Sequence, residues 1–514
     1  MEKRIVIIGA GPTGLGAAYR LKELGYKNFA VYERSPYIGG LASSFRDPAG
    51  FTWDIGGHVM FSHYKYYDQC FEKLMGNDFQ MNMRESWVRM FDTWVPYPFQ
   101  NNIRYLPRDV AYECLSGLIK AQTSGRSSRD CVDFQDFMDT VFGAGIVKHF
   151  MGPYNFKVWA HPPKLMNKEW IGERVAVIDI DRALRNVICS QDDFGWGPNN
   201  MFKFPLYGGT GEFYRRFGPA IGQDKFQLNS PVQIVDTEKK VVRFKNGDVT
   251  PYDILISTMP LDILVNRMLS GPIPDSVRES AAGLRHSGGF MVGIGLKQPC
   301  PSTKSWMYFP ESNCPFYRVT YLSNYSPHMT PDNKTHYSLL CETSYSEFKP
   351  VGRATIVEET IQGLIKAGML AESDRAAIVD TWLHEAAYSY PTPSVERDAI
   401  LQEVIPWLES QQLYSRGRFG MWKYEVSNTD HTLMQGVELV NRLMLGEAET
   451  TIGLRYEITT DGRKAAKHER APVAGSGTPK PVAEPVPTRN TAKSHRYLKG
   501  GIRASRKPAP TLHK

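Results

Sequence analysis

Six residues near the start, Gly9-Ala10-Gly11-Pro12-Thr13-Gly14, constrain the fold of this chain more than any other stretch. They follow a continuous apolar run, Ile5-Val6-Ile7-Ile8, and open a segment in which Ala17, Ala18, Leu21 and Leu24 recur at helical spacing. Phe29-Ala30-Val31-Tyr32 then reads as a second strand. In a strand–turn–helix–strand unit of this kind Gly9 permits the turn, Gly11 lets the backbone approach a pyrophosphate, and Gly14 allows close helix–strand packing. The helix N-terminus offers free N–H groups to the anion. Glu33, at the end of the second strand, is placed to accept hydrogen bonds from a ribose. Glycine spacing alone is a weak signal, but strand, helix and acid together predict a dinucleotide-binding βαβ unit.

The length of 514 residues allows two or three domains. From 107 to 159 the pattern turns helical, with Val110, Leu115, Leu118, Phe134, Phe137 and Val141 recurring. Between 226 and 260 the period drops to two, around an Asn246-Gly247 turn. Further strands are expected at 290–296 and 337–341, and a helix over 356–369. The fold class is therefore α/β: a Rossmann-like nucleotide-binding domain with a helical insertion and an antiparallel β-sheet domain. The expected division assigns 1–96, 194–260 and 406–462 to the nucleotide-binding domain, 97–193 to the helical domain, and 261–405 to the sheet and substrate domain.

Charge is unevenly distributed. The net +7 comes from the last 52 residues, where 13 Lys and Arg meet two acids; the first 462 carry 48 basic and 52 acidic side chains. The segment 463–514 also has seven prolines and few apolar residues, so it reads as a disordered basic tail. With a mildly acidic body, no nucleic-acid partner is expected. No apolar run reaches eighteen residues, so no membrane span is expected either. Seven scattered cysteines without a C-x-x-C pair point to reduced thiols, a cytoplasmic location and no metal site.

Longer segments carry a resemblance. Gly56-Gly57-His58, the run from Trp94 to Asn102, and Pro153-Tyr154-Asn155-Phe156-Lys157-Val158-Trp159 are three of them. Gly172-Glu173-Arg174-Val175, Trp196-Gly197-Pro198-Asn199 and Asn313-Cys314-Pro315-Phe316-Tyr317-Arg318 continue the set. Tyr390-Pro391-Thr392-Pro393 and the run from Gly417 to Asn428 complete it. Over residues 4–445 the chain resembles the eukaryotic-type branch of the UDP-galactopyranose mutase family. Gly39-Gly40-Leu41-Ala42, a second glycine turn common in flavoproteins, favours FAD over NAD by the same kind of association.

The resemblance implies an isomerase that interconverts UDP-galactopyranose and UDP-galactofuranose without net redox change and serves glycan biosynthesis. Reduced flavin N5 would act as nucleophile on the anomeric carbon. Arg174 and Arg318 match the arginines that face the diphosphate, and Tyr308, Tyr390 and Tyr424 match tyrosines that donate to it. Tyr97, Gln100, Phe150 and Asn155 correspond to the uridine wall, with Trp159 and Asn199 also on the substrate side. Gly57, His58, Val232, Arg418, Asn428 and Thr432 map around the flavin, beside Gly9, Gly11, Thr13, Gly14, Glu33, Gly40, Leu41 and Ala42. Arg84 and Ser86 match residues that receive NADPH, the expected reductant. A homo-oligomer is expected. Ser427 departs from the family, which often has Gly there, and Thr432 replaces a Ser.

Set the resemblance aside and each residue has a plainer role. An arginine can be a structural ion pair, a tyrosine can pack in a core, and a buried histidine needs only hydrogen-bond partners. Two other activities fit the fingerprint. One is an amine-oxidase-type flavin oxidoreductase, which needs an apolar pocket and no diphosphate clamp. The other is the same mutase chemistry on a different nucleotide sugar.

Overall fold

The strand Ile5–Ile8, buried along its whole length, lies at the centre of a five-stranded parallel sheet. The order is Leu413–Ser415, Ile254–Ser257, Ile5–Ile8, Phe29–Tyr32 and Phe226–Gln227, and every pairing is parallel. Coverage on both faces explains why these strands read as continuous apolar runs. The computed structural model describes residues 2–171, 175, 180–193, 200–458 and 464–468.

One helix pairing closes this sheet around its ligand end. Helix Pro12–Glu23 packs against Thr429–Leu445, and the contacts climb both helices together: Thr13 with Thr432, Gly16 with Leu433, Arg20 with Asn441. The two helices therefore run parallel with their N-termini side by side. Glycine makes the approach possible. A Cβ on Gly16 would lie 2.3 Å from Leu433 O, and one on Gly436 would lie 2.0 Å from Thr13 O.

A second sheet of seven strands stands apart in composition and direction. Its order is Ile378–Thr392, Arg285–Leu296, Tyr337–Tyr345, Arg318–Tyr321, Trp306–Tyr308, Ser86–Met90 and Thr93–Pro96. All pairings are antiparallel except Trp306–Tyr308 with Ser86–Met90. Two features differ from the sequence expectation. Residues 86–96, assigned to the nucleotide-binding domain, extend this second sheet instead. The fifteen-residue edge strand Ile378–Thr392 carried no period-two signal, because it mixes polar and apolar residues and its partner slips register at two bulges. Helices Arg108–Gln122, Phe134–Ile146 and Gly152–Trp159 form the helical layer, on the expected stretch.

Lys464–His468 pairs antiparallel with Leu454–Ile458, so the disorder expected from 463 onward does not hold for these five residues. Backbone pairing between neighbouring segments is a local matter that overall composition does not report. The rest of the tail, 469–514, lies outside the described residues. The seven cysteines are free thiols. Among the described residues no helix is long and apolar enough to cross a membrane.

The helix crossing generates a test. Gly436→Ala places a methyl carbon against Thr13 O, and overpacking of this kind costs about 1–3 kcal/mol. The variant is expected to melt several degrees lower and to retain less of the expected flavin. Unchanged melting and unchanged visible absorbance would show that the crossing tolerates a wider spacing.

Candidate active site

Each glycine of the first turn meets a different constraint. Gly9 adopts φ +97°, and a Cβ there would strike Thr258 Oγ1 at 2.1 Å. A Cβ on Gly14 would sit 1.9 Å from Gly9 O. Gly11 is unlike both, since the nearest protein atom to its would-be Cβ is Gly40 Cα at 3.9 Å. Protein packing does not demand a glycine at Gly11, but a ligand phosphate pressed on the backbone does. The second turn, with φ +113° at Gly39 and +56° at Gly40, is tied to the first by a hydrogen bond from Gly39 N–H to Ala10 O at 2.8 Å. Glu33 is buried and accepts from Ala10 N–H at 2.9 Å and Ser35 N–H at 2.8 Å. Ser230 N–H donates to Glu33 O, which brings the strand beginning at Val232 alongside, in one cluster with Leu41. These residues fit a dinucleotide.

The C-terminal contribution closes the cradle. Gly417 takes φ +96° and abuts Thr13, while its N–H donates to Gln435 Oε1 at 2.7 Å. Asn428 occupies the N-cap position of the helix Thr429–Leu445. The hydroxyl of Thr432 turns to Asn428 O and Thr429 O at 3.0 and 3.1 Å, so within the protein it serves its own helix. The extra hydroxyl of Ser427 bonds Lys423 O at 2.6 Å, and Ser427 O accepts from Arg418.

Beside the cradle, half-buried tyrosines of the second sheet gather against the helical layer. Tyr97 lies 5.1 Å from Tyr308, and Tyr154 lies 5.4 Å from Tyr308, centroid to centroid. Tyr390, Tyr424 and Trp159 form a second cluster, with centroids 4.7–5.7 Å apart. Arg418 stacks over both Tyr390 and Tyr424, and its fork donates to Ser389 O. Burial and neighbouring Tyr424 push the Tyr390 hydroxyl up to about 12, so it remains a hydrogen-bond donor at neutral pH.

Arg318 lies beside Tyr317, Tyr390 and Gly57. Its Nε and Nη2 donate to the two oxygens of Glu342 at 2.6 and 2.8 Å. Glu342, 2% exposed, also accepts from Gly57 N–H at 3.1 Å and Tyr317 hydroxyl at 3.0 Å. Burial would raise this carboxyl, but the Arg318 guanidinium outweighs it and holds the group below its ordinary range. Among the described residues Arg318 Nη1 makes no hydrogen bond. His58 follows Gly57 directly. Burial pulls its imidazole down to about 4 against the upward pull of Glu342, so it is neutral at pH 7.

Other predicted residues lie deeper. Phe150 is buried, stacked between Phe99 at 4.4 Å and Tyr154 at 5.3 Å. Asn155 and Gln100 are buried, and Asn155 Nδ2 donates to Met151 O within its own turn. Ser86 Oγ is buried without a hydrogen-bond partner among the described residues, and nearby Arg84 covers the Tyr97 ring at 5.7 Å. Arg174 and Asn199 lie outside the described residues. Sequence reasoning missed Glu342 and gave Tyr317 and Tyr154 no role. The signal for Glu342 was legible: a lone acid directly after the apolar strand run Leu339-Leu340-Cys341 calls for a buried partner.

Comparisons with known proteins agree with this geometry. A family model described as flavin containing amine oxidoreductase matches residues 12–414. The crystal structure of a reduced UDP-galactopyranose mutase superposes at TM-score 0.85 with 43% identity, covering 88% of this chain and 96% of that one. A putrescine oxidase shares the fold at TM-score 0.60 and 14% identity, over 87% of this chain and 99% of the other. Among curated sequences, a 15-cis-phytoene desaturase of an Oncidium hybrid cultivar is 24% identical over 283 residues, 51% of this chain and 47% of that protein. Protoporphyrinogen oxidase 2 of Arabidopsis thaliana is 41% identical over 58 residues, 11% of each. The chain thus spans about half the length, or less, of the curated relatives it matches. FAD is the dinucleotide consistent with both the cradle and the flavin family.

The Arg318–Glu342 pair is directly testable. Removing one partner of a buried pair leaves an uncompensated charge and costs about 3–5 kcal/mol, whereas replacing both is far milder. Glu342→Gln should therefore melt well below the parent, and the double variant Arg318→Met, Glu342→Leu should recover much of the loss. Equal melting temperatures for parent and Glu342→Gln would show that the pair does not support the fold.

Proposed function

Because the chain belongs to the UDP-galactopyranose mutase family, we propose that it interconverts UDP-galactopyranose and UDP-galactofuranose without net oxidation or reduction. The observation that carries this reading is the Glu342-held Arg318, flanked by Tyr308, Tyr317 and Tyr390 and touching the Gly57-His58 turn beside the flavin cradle. A diphosphate leaving group needs fixed positive charge and donors, and this corner supplies both. Glu342 pins two nitrogens of the guanidinium and leaves Nη1 for a phosphate oxygen. Such a fork keeps its proton and binds oxyanions directionally.

In this reading Tyr308, Tyr390 and Tyr424 donate their hydroxyls to the same phosphates, and Arg174 acts as the second arginine. Charge on the diphosphate grows as the anomeric bond breaks, so these contacts strengthen toward the transition state. Bound FAD in its reduced form supplies the nucleophile, N5. The neutral imidazole of His58 positions the flavin edge without adding charge. Tyr97, Gln100, Phe150 and Asn155 receive the uridine, with Trp159 and Asn199 on the sugar side. Arg84 and the unpartnered hydroxyl of Ser86 accept NADPH as reductant. The free thiols suit a reducing, cytoplasmic setting, and the enzyme acts as a homo-oligomer. An amine-oxidase-type activity finds support in the breadth of the matching family, but an arginine, a carboxylate and several tyrosine hydroxyls make a poor apolar pocket.

The test is anaerobic incubation with UDP-galactofuranose, followed by separation of the two sugar nucleotides. Dithionite-reduced enzyme should convert it, and oxidised enzyme with reductant excluded should not. Arg318→Ala is expected to lower turnover roughly a hundred- to a thousandfold, the usual worth of a preorganised donor. Lysine should restore only part of this, lacking the planar fork. Near-parental turnover in Arg318→Ala, or equal turnover by oxidised enzyme, would overturn the assignment.

A further inference from the structure

A lysine and a cysteine from distant parts of the chain meet in the interior. Lys157 stands on the helix Gly152–Trp159, Cys314 lies in the loop that leads into the strand Arg318–Tyr321, and both are buried. Lys157 Nζ donates to Glu311 O at 2.8 Å and to Cys314 O at 2.9 Å, and Cys314 Sγ lies 3.4 Å from the same nitrogen. A tetrahedral nitrogen bonded to its own carbon and to two carbonyls has one direction left, and here that direction faces sulfur. The sulfur is confined from the other side. A Cβ on Gly363 would lie 2.8 Å from Pro315 Cδ and 2.9 Å from Cys314 Cβ, so the helix Ile356–Lys366 presses directly on the loop.

A plain structural lysine would be an ammonium with three satisfied donors. The surrounding charge argues for more than that. No carboxylate bonds Lys157 among the described residues, and that of Glu311 is taken by Phe91 N–H and Asn313 Nδ2. A second cation, Lys349, shares this interior and donates to Ser344 O at 2.7 Å. Burial pulls the Lys157 ammonium below its ordinary range, and burial with the charge of Lys157 pulls Lys349 down to about 8. A lysine displaced in this direction spends more time as the neutral amine, with a lone pair in place of its third proton. Burial raises the Cys314 thiol against the opposing pull of Lys157, so the sulfur rests protonated and reacts only under a sustained oxidant load.

We propose that Lys157 and Cys314 form a reversible sulfur–nitrogen crosslink on oxidation by hydrogen peroxide, tying the helix Gly152–Trp159 to the loop before Arg318. Peroxide first converts the Cys314 thiol to a sulfenic acid and releases one water; sulfur loses two electrons and the peroxide gains them. The Lys157 amine then attacks sulfur. The S–N bond forms as the S–O bond breaks, and hydroxide leaves with an amine proton as a second water. A backbone nitrogen captures a sulfenic acid in the same way. The separation of 3.4 Å lies within the roughly 3–3.5 Å of a near-attack arrangement. A dithiol reverses the step, returning thiol and amine as it becomes a disulfide. The helix carries Tyr154 and Trp159 and the loop leads to Tyr317 and Arg318, so the oxidised form holds these two groups at one fixed spacing.

The experiment is peptide mapping of the full-chain, FAD-loaded protein after exposure to hydrogen peroxide, with free thiols alkylated and no reductant in the digest. The peptides bearing Lys157 and Cys314 should appear joined, two hydrogens lighter than their sum, and trypsin should no longer cleave after Lys157. Dithiothreitol should separate them and restore an alkylatable Cys314. Exposed Cys189 is the internal control and should gain oxygen without joining a lysine. The crosslink spans 157 residues of chain, so it should raise the melting temperature by several degrees, as a disulfide closing a long loop does, and dithiothreitol should cancel the rise. Lys157→Arg keeps the charge without the amine, and in it Cys314 should end as an unlinked sulfinic acid. Cys314→Ser should show neither joined peptide nor rise. In the parent, an alkylatable Cys314 after Cys189 is fully oxidised, or a sulfinic acid at Cys314 beside an unmodified Lys157, would overturn the proposal.

Discussion

The close parallel packing of helix Pro12–Glu23 against Thr429–Leu445 is the contact on which the rest of the structure depends. It joins positions more than four hundred residues apart through backbone-to-backbone approach at Gly16 and Gly436. Because the helices are parallel, both N-termini point at the same volume, and both contribute to the field that favours a pyrophosphate there. Gly417 and Asn428 are carried to the cradle by the same contact. Behind it, Arg416 and Arg442 share the carboxylates of Glu409 and Glu449 at 2.5–2.6 Å, fixing the end of the sheet strand to the far end of the helix.

Two further buried pairs hold the substrate side. Arg318–Glu342 ties adjacent strands of the seven-stranded sheet, and Arg397–Glu425, bidentate at 2.8 and 3.0 Å, fixes the turn that carries Tyr424. Burying such pairs costs desolvation, and well-packed apolar residues would often serve stability as well. Their value here is directional, since a carboxylate that accepts from two nitrogens of one guanidinium sets the aim of the remaining one. Not every residue of the signature runs does chemistry. Lys157 reaches Glu311 O and Cys314 O at 2.8 and 2.9 Å, pinning the helix Gly152–Trp159 to the loop before Arg318.

Residues close in sequence were the legible ones. The turn Gly9–Gly14, the strands around it and Glu33 obey constraints acting over a few residues, so spacing alone identified them. The helical stretch and the strands near 290 and 337 were readable for the same reason. Roles for Arg318, Tyr390 and Tyr424 came through resemblance to whole motifs, because nothing local distinguishes a clamp tyrosine from a packed one.

Tertiary structure alone decided what pairs with what. It put residues 86–96 in the seven-stranded sheet, joined 12–23 to 429–445, and gave Arg318 its partner Glu342 from a neighbouring strand. Each of these is a long-range pairing, set by burial and by hydrogen bonds that chain order does not encode. The sequence by itself determined that the chain would cradle a dinucleotide, since that motif carries its own geometry. Where the guanidinium beside that cradle aims was decided only when a carboxylate 24 residues away was folded against it.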